Sequence, residues 1–243
     1  MANNKKLNTN TNSYTLLYSA GLVVIVAFLL AFVFQALKPM QDANVALDKK
    51  KQILYSLNIR DLASDQAYDS KYKEVVTADK IIASDGSVVA QGKQGGEDDG
   101  FRLGSADFKK GKLALYVCNV DGDTKYVIPV YGMGLWGPIS GYIAVNSDKR
   151  TVYGAYFNHE GETAGLGAEI KDNASWQKKF QKKNLLTSDG SKVALSVEKN
   201  VTDPSSQVDA VTGATLTSDG VTNMLHDCLS QYLNFFKASN DNK

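Results

Sequence analysis

Tyr14-Thr-Leu-Leu-Tyr-Ser-Ala-Gly-Leu-Val-Val-Ile-Val-Ala-Phe-Leu-Leu-Ala-Phe-Val-Phe-Gln-Ala-Leu37 carries no charged side chain, and the nearest charges are Lys6 before it and Lys38 after it. As a helix this run is long enough to cross a hydrocarbon core ~30 Å thick. A lone segment in lipid must satisfy its own backbone hydrogen bonds, so the helix is the form it takes. A cleaved secretory signal would have a shorter apolar region ending in small residues. This one ends Phe34-Gln35-Ala36-Leu37, a poor cleavage site, so the reading is an uncleaved anchor. Lys5 and Lys6 precede the run and Lys38, Lys49, Lys50 and Lys51 follow it, so counting charges does not orient it. A short N-terminal tail and a long following domain favour the tail inside and the domain outside. The expected division is a cytoplasmic tail over 1–13, a transmembrane helix over 14–37, a linker with an amphipathic helix over 38–73, and an extracytoplasmic domain over 74–243.

Working outward, Val45, Leu47, Ile53, Leu54 and Leu57 are spaced for one apolar stripe, which predicts a helix from Ala43 to Ile59 with Lys49 to Gln52 as its polar face. Asp61 to Lys73 is polar and without pattern. Strand signals follow. Ile81-Ile82 and Val88-Val89 flank Asp85-Gly86, a hairpin signature. Gln91 to Gly100 reads as a surface loop. Leu113 to Val120, Tyr126 to Val130, Ile139 to Val145, Val152 to Phe157 and Val193 to Val197 read as strands. Trp176 and Phe180 belong to a short basic helix. Val221, Leu225, Cys228, Leu229, Tyr232, Leu233 and Phe236 recur at helical intervals, predicting a final helix with Thr217 or Ser218 as its N-cap. Many short strands with a few helices predict an α+β domain built on a mostly antiparallel sheet.

The whole chain of 243 residues balances 27 basic against 26 acidic residues, for a net charge of +1. With no basic block after the anchor, nothing points to a nucleic acid. Cys118 and Cys228 lie far apart and outside any C-x-x-C or haem-attachment pattern, which leaves no iron–sulfur or c-type haem site. Outside the cytoplasm the two could pair; buried small hydrophobes are the commoner role. No acid–base dyad, nucleophile–His pair or metal cluster stands out, so no residue is assigned as catalytic or metal-ligating.

The segment that carries chemistry is Asp209-Ala-Val-Thr-Gly-Ala-Thr215-Leu-Thr-Ser218, directly before the last helix. Unsatisfied N–H groups at a helix N-terminus and the helix dipole make such a turn a phosphate site. Gly213 lets the backbone approach a ligand, and Ala214 adds little bulk. An ordinary capped helix with a Thr-rich turn reads the same residues equally well. Asp209, Thr212, Gly213, Ala214 and Thr215 also spell D-x-x-T-G-A-T, which resembles the flavinylation motif of the FMN-binding domain family. Gly132-Met-Gly-Leu-Trp136-Gly-Pro138 and His159-Glu-Gly-Glu162-Thr163-Ala-Gly-Leu166-Gly167 resemble two further signatures of that family, with Ala164 where the family usually has Pro. From about residue 10 to the end, the anchor, the following helix and these motifs resemble the C-subunit branch found in sodium-translocating NADH:quinone reductases. The G subunit of the Rnf electron-transport complex has the same plan and is the alternative.

The resemblance implies an FMN esterified to Thr215 through its phosphate, installed by a flavin transferase that uses FAD and Mg²⁺. Thr217 is the less favoured acceptor. It implies that Asp209 and Thr212 are read by the transferase, and that Gly213 and Ala214 border the phosphate. Trp136 would contact or flank the flavin, Glu162 and Thr163 would hydrogen-bond its polar edge, and Leu166 would cover a ring face. His159 would order its loop, and Lys199 reads as a solvated lysine. The implied role is an electron relay without a substrate site of its own. Its implied setting is a bacterial inner-membrane complex with iron and flavin centres, an NADH-oxidising subunit, and ubiquinone as final acceptor. A membrane-anchored binding or scaffold module, in which the Thr-rich turn only caps a helix, is the reading from a different class.

Overall fold

In the computed structural model, residue 9 and residues 11–238 are described; Lys5 and Lys6 lie outside them. Chain contacts divide the protein into two units, residues 1–48 and 49–243. From Asn12 onward the first unit is helical. It forms most of helix α1, Asn12–Ser56, which contains the one segment among the described residues long and apolar enough to cross a membrane. None of that segment is buried in protein, as lipid-facing side chains require.

The two helical stretches anticipated from sequence are one uninterrupted helix. Pro39 sits inside it without ending it. The polar face expected at Lys49 to Gln52 is also corrected, because these lysines pack within the second unit. Lys49 Nζ donates to the carbonyls of Phe101 and Leu103. Lys50 is only 5% exposed and donates to Asp69 at 2.6 Å and Glu97 at 2.7 Å, and Lys51 pairs with Asp65 at 2.7 Å. Three consecutive lysines thus meet three different parts of the domain surface.

Asp65–Val75 forms helix α2, where the sequence showed no pattern. Its N-cap Ser64 accepts from Ala67 N, and its buried positions are three: Tyr68, Tyr72 and Val75. Aromatic rings, sparse along the sequence, replace the aliphatic stripe that would have announced it.

The sheet has six antiparallel strands in the order β2-β1-β3-β4-β5-β6, namely Val76–Ile82 (β1), Val88–Ala90 (β2), Leu113–Val120 (β3), Asp123–Met133 (β4), Pro138–Asn146 (β5) and Val152–His159 (β6). Between β2 and β3 lie a 3-10 turn, Gly100–Arg102, and a short helix α3, Ser105–Phe108. The β1–β2 hairpin turns at Asp85-Gly86, with Gly86 at φ +87°.

The two faces of the sheet differ. Ile128, Val130, Ile139, Ile143, Ala155 and Phe157 point into the main apolar core. Tyr116, Tyr142 and Tyr156 occupy the alternate positions; Tyr116 meets Tyr142, and Tyr156 meets Tyr55 near the end of α1 at 5.3 Å. The core face is covered by α4 (Glu169–Asp172), α5 (Ala174–Lys178) and α6 (Thr215–Ser230), with α6 resting chiefly on β4. Two short parallel strands, β7 (Ser196–Glu198) and β8 (Gln207–Asp209), lead into α6.

The final helix departs from the expectation at both ends. It breaks at Gln231-Tyr232 and resumes as α7, Leu233–Lys237. Its N-cap is Ala214, while Thr217 and Ser218 lie inside the first turn and are buried. The strand expected over Val193 to Val197 begins only at Ser196, with Val193 bridging to Leu186. Cys118 and Cys228 are both buried and free. Cys228 lies where β4 runs past the end of β3. There its Sγ donates to the carbonyl of Tyr131 and accepts from that residue's N–H, each at 3.3 Å. Burial pushes the Cys228 thiol up to about 11.

Candidate functional site

The three motif segments, spread between Gly132 and Ser218 in sequence, meet at the N-terminus of α6. The first is the tip of the β4–β5 hairpin. Met133 pairs with Pro138, and Gly134 N donates to Gly137 O at 2.8 Å, leaving Leu135 and Trp136 as the two turn residues. Both side chains point outward, Leu135 at 47% and Trp136 at 69% exposure. The second segment follows β6. Glu160 N donates to Pro138 O, and His159 Nδ1 accepts from Glu162 N at 3.2 Å, so His159 orders its loop. The loop then closes on itself as Leu166 N and Ala168 N both donate to Thr163 O.

The third segment enters α6. Trp176 Nε1 donates to Asp209 O at 2.8 Å, and Lys179 Nζ pairs with the Asp209 carboxylate at 2.7 Å. Val211 N donates to Ser218 Oγ, and Ala214 N donates to Val211 O. Gly213 has φ +77°, the left-handed region in which a side chain is disfavoured. A Cβ there would lie 2.9 Å from Leu166 Cδ2, so Leu166 leans over this turn.

Glu162 joins the three. It is 7% exposed; its Oε1 accepts from Trp136 N at 2.8 Å and its Oε2 accepts from Thr217 Oγ1 at 2.6 Å. Gly134 and Gly167 make room for it. A Cβ on Gly134 would lie 2.5 Å from Glu162 Oε1, and one on Gly167 would lie 2.6 Å from Thr217 Oγ1. The Glu162 carboxylate, expected at a ligand edge, faces inward here, and each of its oxygens accepts from a protein donor. The signal available in the sequence was the glycine on either side of the loops, which marks close packing as readily as close ligand approach.

What remains open to solvent is chemically consistent. Thr212, Gly213, Thr215 and Leu216 are exposed, as are Thr163 and Leu166. Among the described residues no side chain caps α6, whose first turn therefore presents free N–H groups beside the Thr215 hydroxyl. Exposed apolar side chains surround this end of the helix: Met133 63%, Leu135 47%, Trp136 69%, Leu166 43% and Leu216 60%. An anion-accepting helix end with a free hydroxyl, ringed by large apolar side chains, fits a ligand that joins a phosphate to a flat apolar ring system. Lys199 is exposed. Sequence reasoning missed Thr217 as a partner of Glu162, and missed Trp176 and Lys179 as the residues that hold Asp209. No group of His, Cys, Asp and Glu among the described residues has the arrangement of a metal site.

Comparison with known proteins agrees with this geometry. The family model described as "FMN-binding domain" matches residues 134–230, which include all of the second and third segments and most of the first. The C subunit of the Na(+)-translocating NADH-quinone reductase from Haemophilus ducreyi is 33% identical, over 96% of this chain and 98% of its own length. The protein of the same name from Pseudomonas aeruginosa is 30% identical, over 90% and 92%. Among solved structures, the C subunit of the Na(+)-translocating NADH-quinone reductase from Parabacteroides distasonis superposes with a TM-score of 0.76 at 36% identity, covering 84% of this chain and 98% of that one. The Shewanella oneidensis protein NqrC shares the fold, with a TM-score of 0.64 at 24% identity and coverage of 81% and 100%.

Proposed function

Because this chain belongs to the C-subunit family of the Na(+)-translocating NADH-quinone reductase, and is a flavin electron-transfer subunit of that complex, we propose that its FMN is bonded covalently to Thr215. The observation that carries this is the exposed Thr215 hydroxyl on the uncapped first turn of α6. A phosphodiester there keeps its charge beside free N–H groups and the positive end of the helix dipole. The flavin supplies the electron-accepting and electron-donating chemistry when bound. The protein's own part is to hold, orient and shield.

Residues then divide by task. Gly213 and Ala214 let the backbone pass close to the phosphate. Leu166, which leans over the turn, and Trp136, exposed at the hairpin tip, flank the ring, and the exposed Thr163 supplies a hydroxyl to its polar edge. Asp209 and Thr212, outside the buried core, are read by a flavin transferase during maturation. Covalent attachment suits a relay outside the cytoplasm, where lost FMN is not easily recaptured.

Residues 14–37 form the transmembrane part of α1, with the tail cytoplasmic and the domain on the periplasmic side of the inner membrane. The short tail before the span and the long domain after it support this orientation, since long domains translocate largely regardless of charge. The partners are the other subunits of the reductase.

The test is a gel. Protein produced together with a flavin transferase, then denatured and separated, fluoresces as a flavin. Thr215→Leu loses that band, and Thr217→Val keeps it. A band that persists in Thr215→Leu contradicts the assignment.

A further inference from the structure

We propose that Glu162 is a positioning residue: its buried carboxylate ties the Leu135–Trp136 hairpin tip to the first turn of α6, so that the apolar tip and the Thr215 hydroxyl keep one fixed arrangement. Glu162 is nearly buried, at 7% exposure, and each oxygen already has a protein donor. Its effect on a ligand must pass through Trp136 and Thr217.

Three observations carry the proposal. First, the donors come from different parts of the chain, the turn between β4 and β5 and the third residue of α6. Second, Glu162 makes no ion pair among the described residues. A buried carboxylate without a cation depends on every hydrogen bond it accepts and on the nearby helix N-terminus. Losing one donor leaves the charge exposed to its full desolvation cost, so the two contacts act together. Third, the packing admits little else. Gly134 and Gly167 stand where any Cβ would strike Glu162 or Thr217, and His159 Nδ1 fixes the backbone of Glu162 itself. The Trp136 N–H sits at an exposed hairpin tip, outside the β-ladder, and has Glu162 as its partner.

The first readout is independent of flavin. In the full chain, made without the transferase and held in detergent, hydrogen exchange at the Trp136 amide is slowed by its bond to Glu162. Glu162→Ala speeds that exchange by about tenfold or more, the factor expected for losing a hydrogen bond to a charged group. Glu162→Gln keeps the protection, because its amide oxygen accepts from Trp136 N and its nitrogen donates to Thr217 Oγ1. Amides in the middle of β5 stay unchanged in both variants. Thr217→Val, a milder change of similar shape, gives intermediate protection and serves if Glu162→Ala fails to fold.

The second readout rests on the Thr215 reading. With the transferase present, Glu162→Ala still carries flavin, but its flavin fluorescence anisotropy falls below that of wild type, whereas Glu162→Gln matches wild type. Unchanged exchange at Trp136 in both Glu162→Ala and Thr217→Val overturns the proposal. So does a Glu162→Gln variant as fast in exchange as Glu162→Ala. If wild type takes up no flavin, the Thr215 reading fails, and the exchange result still decides the role of Glu162.

Discussion

Gly213 shows how one residue serves fold and site together. Its φ of +77° turns the chain from β8 into α6, and the missing side chain leaves room for Leu166 to lean over the turn. Gly213→Ala places a Cβ in the left-handed region and 2.9 Å from Leu166 Cδ2, a cost of about 1–2 kcal/mol. The expected result is a lower thermal unfolding midpoint in detergent, and a midpoint equal to wild type counts against this backbone role. At this scale the sequence was only partly legible. The glycines and threonines of the motifs announced a tight, polar turn, and they resembled a flavin-attachment motif. They did not reveal that Glu162 looks inward or that Thr217 is its donor, because a buried carboxylate and a ligand-facing one have the same neighbours in one dimension.

Among the elements, the strands were readable because β3 through β6 are short runs rich in β-branched and aromatic residues, buried on both faces for most of their length. Helix α2 was not, because Tyr68 and Tyr72 bury rings where an aliphatic stripe would mark a helix. The last turns of α1 were misjudged for a related reason. Lysine at 50 reads as solvated, yet the ammonium reaches two carboxylates while the stem is covered. That contact has a pH signature. Hydrogen bonds from Lys50, and then from Lys73, hold the Asp69 carboxyl below its ordinary value. A carboxyl whose folded value is depressed adds stability above its unfolded value of about 4, and that stability is lost as pH falls through the folded value. Lys50→Met is therefore less stable than wild type near neutral pH, and the gap narrows below about pH 4. A gap in unfolding midpoint that stays constant between neutral pH and about pH 3 would show that Asp69 does not depend on Lys50.

Taken whole, the chain joins an apolar helix to a sheet domain, several of whose exposed apolar residues lie on the segments that meet at the start of α6. The apolar run and the α+β class were plain from composition and spacing, since crossing lipid and burying one face of a sheet are demands that few residue patterns meet. Assembly of three distant segments at one helix end was beyond any local pattern, because it depends on how β4, β5 and β6 are ordered in the sheet. The proposed attachment of FMN stands on one bond, a phosphodiester at Thr215 in the mature protein. Peptide mass spectrometry of the chain purified from its native host tests that bond most directly. The peptide spanning Asp209 to Ser218 is expected to carry the added mass of an FMN phosphodiester, with fragmentation placing it on Thr215. An unmodified Thr215 in fully matured protein would contradict it.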